Sequence, residues 1–331
     1  ASLFENTLGS KSIAVGRGAL QNQNYTTATD AFNTAVGYHS GVNVTTGVDN
    51  TLIGGLAGDA ITTGGTNTAV GKLAFSSNTG AFSNVAIGHR ALENFNVTTA
   101  TSTYNVAIGE DAGRQVTTGT NNTLIGSLAG DALITGELNV AVGKDALGSD
   151  TDGGYSVAIG ALALITQDFT TTTNTYNTAV GGLAGRLITT GLNNALIGGL
   201  AGDALTDADF NVAVGTYALS SDTLGSNSVA VGHAALFSQN NTTATNTNNT
   251  AVGYEAGNDI TTGISNTIIG SQAGDALTDA DFNVAIGLGS LGADTLGSKS
   301  VAVGTAALQA QNFTTATDTH NTAVGHNAGN D

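Results

Sequence analysis

The sequence predicts an all-β protein built as a parallel β-solenoid, and three observations predict it. First, the stretch Asn33-Thr34-Ala35-Val36-Gly37 returns in near copy along the chain. Its closing glycine falls at Gly16, Gly37, Gly54, Gly71, Gly88, Gly109, Gly126, Gly143, Gly160, Gly181, Gly198, Gly215, Gly232, Gly253, Gly270, Gly287, Gly304 and Gly325. The separations run 21, 17, 17 and 17 and then repeat, giving about 18 coils in a four-coil super-repeat of 72 residues. So regular a period marks a solenoid, whose units bury their apolar faces on their neighbours. Second, Val or Ile precedes every one of these glycines, and the residue three before each glycine is β-branched except at Ala195. Third, 17 residues are too few for two helices and a turn but enough for short strands joined by tight corners. Glycine after each strand, and again in Thr45-Thr46-Gly47, supplies the positive φ such corners need.

The four coils of a super-repeat differ in order. The first, Ser12 to Phe32, carries Leu20 four residues past its glycine, and a Thr-rich insertion, Thr26-Thr27-Ala28-Thr29, lengthens it to 21 residues. The second, Asn33 to Asp49, has Gly41 at that place. The third, Asn50 to Thr66, reads Leu52-Ile53-Gly54-Gly55-Leu56-Ala57-Gly58-Asp59. The fourth, Asn67 to Ser83, returns to a bulky residue, Phe75, where later copies have Leu147, Leu219 and Leu291. The cross-section is therefore expected to vary over every four coils. The anchor turns of the first full cycle close on Gly37, Gly54, Gly71 and Gly88.

Alternate residues of a strand face opposite ways. Thr34 and Val36 thus share one face and Ala35 takes the other, with Leu52, Leu124, Leu196 and Ile268 replacing the alanine in the third coil of each super-repeat. Both faces are apolar, so both are expected to be buried. One lines the inside of the coil, and the other meets a second or third copy of the chain. Ala57, Ala74 and Ala91 are expected to allow close approach as well.

Composition narrows the function. With no Pro, Cys, Met or Trp, 47 Gly and only 10% charged residues, the 331-residue chain does not read as an ordinary globular enzyme. Eight Lys and Arg against 25 Asp and Glu leave a net charge of −17, the wrong sign for binding a phosphate backbone. Disulfides and thiolate metal sites are excluded by the lack of cysteine. No apolar run approaches the ~18 residues of a membrane helix, so no membrane insertion by this segment is expected. Ser2 to Ser12 aligns with Ser290 to Ser300, and Ala328-Gly329-Asn330-Asp331 with Ala256-Gly257-Asn258-Asp259. No terminal cap is visible, and residues 1–331 are expected to be one continuous solenoid from within a longer fibre.

Several residue sets invite a chemical role. The residue four before each anchor glycine is Asn in fourteen coils, among them Asn33, Asn50, Asn67, Asn84, Asn105 and Asn122, and Ser at Ser12, Ser156, Ser228 and Ser300. At a coil spacing of about 4.8 Å such amides form a structural ladder, and a sugar-binding row is the alternative. His39, His89, His233, His320 and His326 offer no converging triad or metal set, and four of them lie one or two residues past an anchor glycine, where residue type varies freely. No enzymatic activity and no cofactor are expected. Glycine strings such as Gly198-Gly199-Leu200-Ala201-Gly202-Asp203 lack the Lys-Ser/Thr of a phosphate loop. Calcium is conceivable from the recurring Asp59, Asp131, Asp203 and Asp275 with Asp207, Asp209, Asp279 and Asp281 nearby, although the nonapeptide calcium-roll pattern is absent. The insertions carrying Thr26, Thr27, Thr29, Thr98, Thr99 and Thr101 read as protruding contact loops. Recurring once in four coils, about 19 Å apart, they form no continuous ice-binding array.

The units Ser228-Val229-Ala230-Val231-Gly232 and Asn249-Thr250-Ala251-Val252-Gly253-Tyr254-Glu255-Ala256-Gly257 resemble the head repeats of YadA-type trimeric autotransporter adhesins. They resemble still more the repeats of bacteriophage tail fibres that end in endosialidase-type chaperone domains. The resemblance spans essentially the whole chain and departs from the adhesin pattern in its longer coils. It implies a left-handed β-roll in a tight homotrimer, extracellular, on a virion tail fibre or a bacterial surface. The expected function is a structural shaft that presents a receptor-binding or attachment tip. A host cell-surface receptor or glycan is the implied partner besides self, and nucleic acid is not. The alternatives are an adhesin head and, further off, a glycan-binding or ice-binding solenoid.

Overall fold

A computed structural model describes residues 2 to 330. Among them are 28 short strands and no helix, eighteen strands of three residues and ten of two. The architecture is a parallel β-solenoid of stacked coils. It comprises two compact units, Ala1–Ala161 with Asp168–Asn174, and Leu162–Gln167 with Thr175–Asp331.

In the first unit nine three-residue strands, from Ile13–Val15 to Val157–Ile159, pair in parallel, each after the first with the strand one coil before it. Register is one repeat per step: Thr34 pairs with Thr51, Ala35 with Leu52 and Val36 with Ile53. The second unit stacks nine strands the same way, from Thr178–Val180 to Thr322–Val324. The two-residue strands flank the 21-residue coils, as where Ala81–Phe82 pairs with Thr101–Ser102 and Gly225–Ser226 with Thr245–Asn246. In-register stacking puts like on like, which is why a short motif repeated at fixed phase forms this fold.

Corners are made by recurrent positive-φ residues. The anchor glycines Gly37, Gly54, Gly71 and Gly88 have φ of 142°, 136°, 138° and 138°, open to glycine alone. Each continues the ladder, donating its N–H at 2.8 Å to the carbonyls of Val15, Val36, Ile53 and Val70 in turn. A second corner precedes each ladder residue, and there non-glycine side chains sit in the left-handed region, as at Phe32 (48°), Thr66 (56°) and Tyr104 (53°). Such a residue costs about 1–3 kcal/mol and persists where its surroundings hold it. Neighbouring coils do so here, with Asp49 N–H donating to Ala31 O and Thr66 N–H to Val48 O.

The lumen takes the middle residue of each strand. Ala35, Leu52, Ala69 and Ala86 are fully buried. So are Ala57, Ala74 and Ala91, which face inward and are unavailable to a neighbouring chain, against the expectation of close approach there. Large and small residues exchange places in the core. Where Gly41 and Gly58 replace the bulky Leu20 and Phe75, Leu52 fills the space, and a methyl added at Gly58 would lie 2.7 Å from its Cδ2. In the second unit Leu196 stands in the same way against Gly185 and Gly202. The bulk moves from corner to strand between coils, which keeps a close-packed interior.

Candidate functional site

Since the middle residues point inward, the first and third residues of each strand point out. Thr34, Val36, Thr68, Val70, Val85, Ile87, Val106 and Ile108 are each half-buried by their coil neighbours alone. Ile13 and Val15 are 55% and 57% exposed. The second unit repeats this face, with Ile197 and Ile269 exposed. The result is a row of side chains on a parallel sheet, β-branched in every coil but for Ala195. Covering it would contribute about 1 kcal/mol for each half-exposed Val or Ile.

The left-handed corner before each ladder residue widens this row with exposed rings that the sequence pattern did not single out. Phe32 and Tyr104 lie there in the first unit, Tyr176, Phe210 and Phe282 in the second. Their spacing carried the signal: 72 residues from Phe32 to Tyr104 and from Tyr104 to Tyr176, and 72 again from Phe210 to Phe282. Lys11 lies 5.1 Å above the Phe32 ring and its amine pairs with Asp30 at 2.7 Å.

The Thr-rich insertions stand apart from that row. Thr26, Thr27, Thr98, Thr99 and Thr101 are exposed and Thr29 is half-buried. Local bonds close these loops: the Thr29 hydroxyl donates to Thr27 O at 3.0 Å and, in the second unit, the Thr245 hydroxyl to Thr243 O at 2.9 Å. Their bases reach inward, where the Tyr25 hydroxyl donates to Gly47 O at 2.7 Å.

Asn33, Asn50, Asn67, Asn84, Asn105 and Asn122 are buried in the lumen at 0–1% exposure. Each side-chain carbonyl accepts the main-chain N–H of the next ladder residue. The distances are 2.9 Å from Asn50 to Asn33, 3.1 Å from Asn67 to Asn50 and 3.0 Å from Asn122 to Asn105. The amide of Asn50 donates to Gly64 O and that of Asn122 to Gly136 O, both at 2.9 Å, across the coil. Amide-to-amide bonds also occur, from Asn67 to Asn50 and from Asn84 to Asn67. All but Asn84, whose amide donates to Phe82 O instead, therefore tie strand, next coil and opposite corner together, and none of the six presents its amide to solvent for a sugar.

The acidic residues are dispersed. Asp207 accepts the Thr190 hydroxyl and Asp279 the Thr262 hydroxyl, both at 2.6 Å. Asp209 and Asp281 accept the main-chain N–H of Leu192 and Ile264 one coil away, extending the ladder with a side chain. Burial pushes the carboxyls of Asp59, Asp203 and Asp275 above the usual range, and that of Asp131 up to about 6. Among the described residues no group of three or more His, Asp or Glu is arranged to hold a metal ion. The histidines do not converge either: His39 stacks on Tyr38 at 4.1 Å, His233 on Tyr254 at 5.5 Å, and His320 and His326 are exposed.

No protein-family model, curated protein or solved structure matches the chain. No helix among the described residues is long and apolar enough to cross a membrane.

Proposed function

We propose that this chain is a structural, non-enzymatic shaft segment of an extracellular homotrimeric fibre, of the kind that extends and presents an attachment tip on a phage tail. The observation that carries this reading is the outward Val, Ile and Thr row with its flanking Phe and Tyr corners. It is largely apolar and repeated at every three-residue strand of each unit. Uncovered apolar surface on that scale marks an interaction face. A coil repeated with the same phase offers the same face to each copy, so closed rotational symmetry can cover it completely. The resemblance of the Asn-Thr-Ala-Val-Gly units to tail-fibre and trimeric adhesin repeats supports three copies, and an adhesin head on a cell surface is the second reading.

The deciding experiment is solution mass by light scattering with circular dichroism on the same sample. Three times the 32.6 kDa chain mass with a β signal is the expected result. A stable β-rich monomer refutes the reading. Replacing outward residues of adjacent coils, Val85→Asp with Val106→Asp, should lower the mass while the β signal remains.

A further inference from the structure

The ladder residue is Ser rather than Asn in four coils, and in each the residue eleven further on is Gln: Ser12 with Gln23, Ser156 with Gln167, Ser228 with Gln239 and Ser300 with Gln311. These are 21-residue coils. The fifth of that length keeps Asn84 and has Phe95 instead. At the same phase in the coil before stand Asp150, Asp222 and Asp294, and before Phe95 stands Asn78. Two junction types therefore exist, a polar Asp, Gln, Ser set, with Asn6 in place of Asp before Gln23, and an aromatic Asn, Phe, Asn set.

Both lie inside the solenoid. Asp222, Ser228 and Gln239 are fully buried. The Asp222 carboxylate accepts the main-chain N–H of Gly225 at 3.1 Å and of Asn241 at 2.9 Å through one oxygen, and the Gln239 amide through the other. That amide also donates to the Ser228 hydroxyl at 3.0 Å, and its oxygen accepts the Asn249 amide at 2.9 Å. Asp294, Ser300 and Gln311 repeat the set, with Gln311 donating to Asp294 at 2.5 Å and Asp294 accepting the N–H of Gly297 and Phe313. At the aromatic junction Phe75 and Phe95 stack at 5.7 Å, both fully buried.

We propose that these junctions are register keys, which select the native stacking of coils over stackings slipped by one or more coils. The Asn and strand ladders do not discriminate, and the exchange of bulk between Leu52 and its glycines repeats with every super-repeat. Asn side chains accept the next coil's N–H, and strand pairs have the same register, whichever coil is neighbour. A chain of near-identical coils has many near-equal slipped states. Slippage by one coil would set Gln239 against Leu205 and separate its amide from the Asp222 carboxylate, exchanging a charge-assisted bond for an apolar contact in a lumen closed to water. The aromatic junction at Asn78 and Phe95 differs from the polar ones, so it resists slippage by a whole super-repeat as well. This inference is independent of what the shaft carries or how many copies assemble.

The test uses the full chain, whose lack of cysteine leaves room for a reporter. Ser226 and Asn246 are paired across the Asp222 and Gln239 junction, so S226C with N246C forms a disulfide only in native register. The keyless variant D222N/Q239L removes the pairing while keeping a side-chain oxygen for the Gly225 and Asn241 N–H groups, as Asn78 does for Ala81, a change that leaves folding intact when a polar pair serves specificity. After refolding with both reporters, the keyless chain should keep its β signal while disulfide yield falls about twofold or more, as near-degenerate stackings share the population. The aromatic set L219F/D222N/S228N/Q239F should restore the parent yield. Parent yield in the keyless chain overturns the proposal, as does an aromatic-set chain that folds with the keyless yield. Loss of the β signal in the keyless chain overturns it too, since the pair would then supply stability rather than register.

Discussion

Gly181 and Gly182 are adjacent and chemically identical, yet they should respond oppositely to a methyl group. Gly181 is an anchor glycine with φ of 144°, and a Cβ built on it would overlap the Gly198 carbonyl of the next coil, 2.5 Å from its carbon. Nothing lies within 4 Å of a Cβ at Gly182. Gly181→Ala therefore meets backbone strain of about 1–3 kcal/mol and an overlap with main chain that cannot rotate aside, worth about 1–3 kcal/mol more. The sum is roughly 2–6 kcal/mol. Gly182→Ala has only the narrowing of the unfolded ensemble, a gain of about 0.4–1 kcal/mol where the backbone suits alanine. Urea unfolding followed by circular dichroism, at one protein concentration for both variants, measures the difference through the midpoint at constant slope. If Gly181→Ala unfolds at the same urea concentration as Gly182→Ala or above it, the close stacking of anchor turns described here is wrong.

Removing one ladder rung, Asn122→Ala, leaves the Asn139 N–H and Gly136 O without their partners at 3.0 and 2.9 Å. At about 1–3 kcal/mol for each stranded group, loss of roughly 2–6 kcal/mol by the same urea assay is expected, and less than about 1 kcal/mol would contradict the buried ladder. Asp131 titrates near 6 because burial disfavours its charge, with Asp145 and Asp111 adding repulsion and Arg114 opposing it. Its folded form holds a proton that the unfolded chain releases at an ordinary carboxyl pKa. The stability it contributes is full below that ordinary value and declines as pH rises towards 6. Asp131→Asn should accordingly stabilise the fold at pH 8 by on the order of 1 kcal/mol, after discounting for partial exposure, read as a raised thermal midpoint, and by little or nothing at pH 4. Equal effects at both pH values would remove burial as the cause. Finally, Thr26, Thr27 and Thr29 changed together to Ala should leave fold and mass unaltered, because their hydroxyls bond within the loop or face solvent. A spacer would keep its function in this variant, whereas loss of adhesion in a cell-binding assay would make the loops the ligand site.

Much of this molecule is legible in the chain. The eighteen Val-Gly or Ile-Gly steps, the 21, 17, 17, 17 spacing and the β-branched residue three before each glycine determine a stacked parallel β fold, because in-register coils bring like residues together. They also determine that two faces of every strand are apolar. Which face is the lumen was not in the pattern. Ala35 and Val36 are both apolar and differ mainly in size, so alternation alone serves either assignment. The tertiary structure decided it through its corners: the left-handed turn at Phe32 or Thr66 and the glycine turn at Gly37 or Gly54 aim the strand between them, sending Ala35 and Leu52 inward and Val36 and Ile53 outward. The same corners turn Phe32 and Tyr104 out beside that row. The reason Ser replaces Asn at Ser228 was equally hidden, since it depends on Gln239 and Asp222 meeting across two coils. Periodicity records what repeats along the chain, whereas the sign of φ at a corner and a contact between neighbouring coils exist only once the chain has folded.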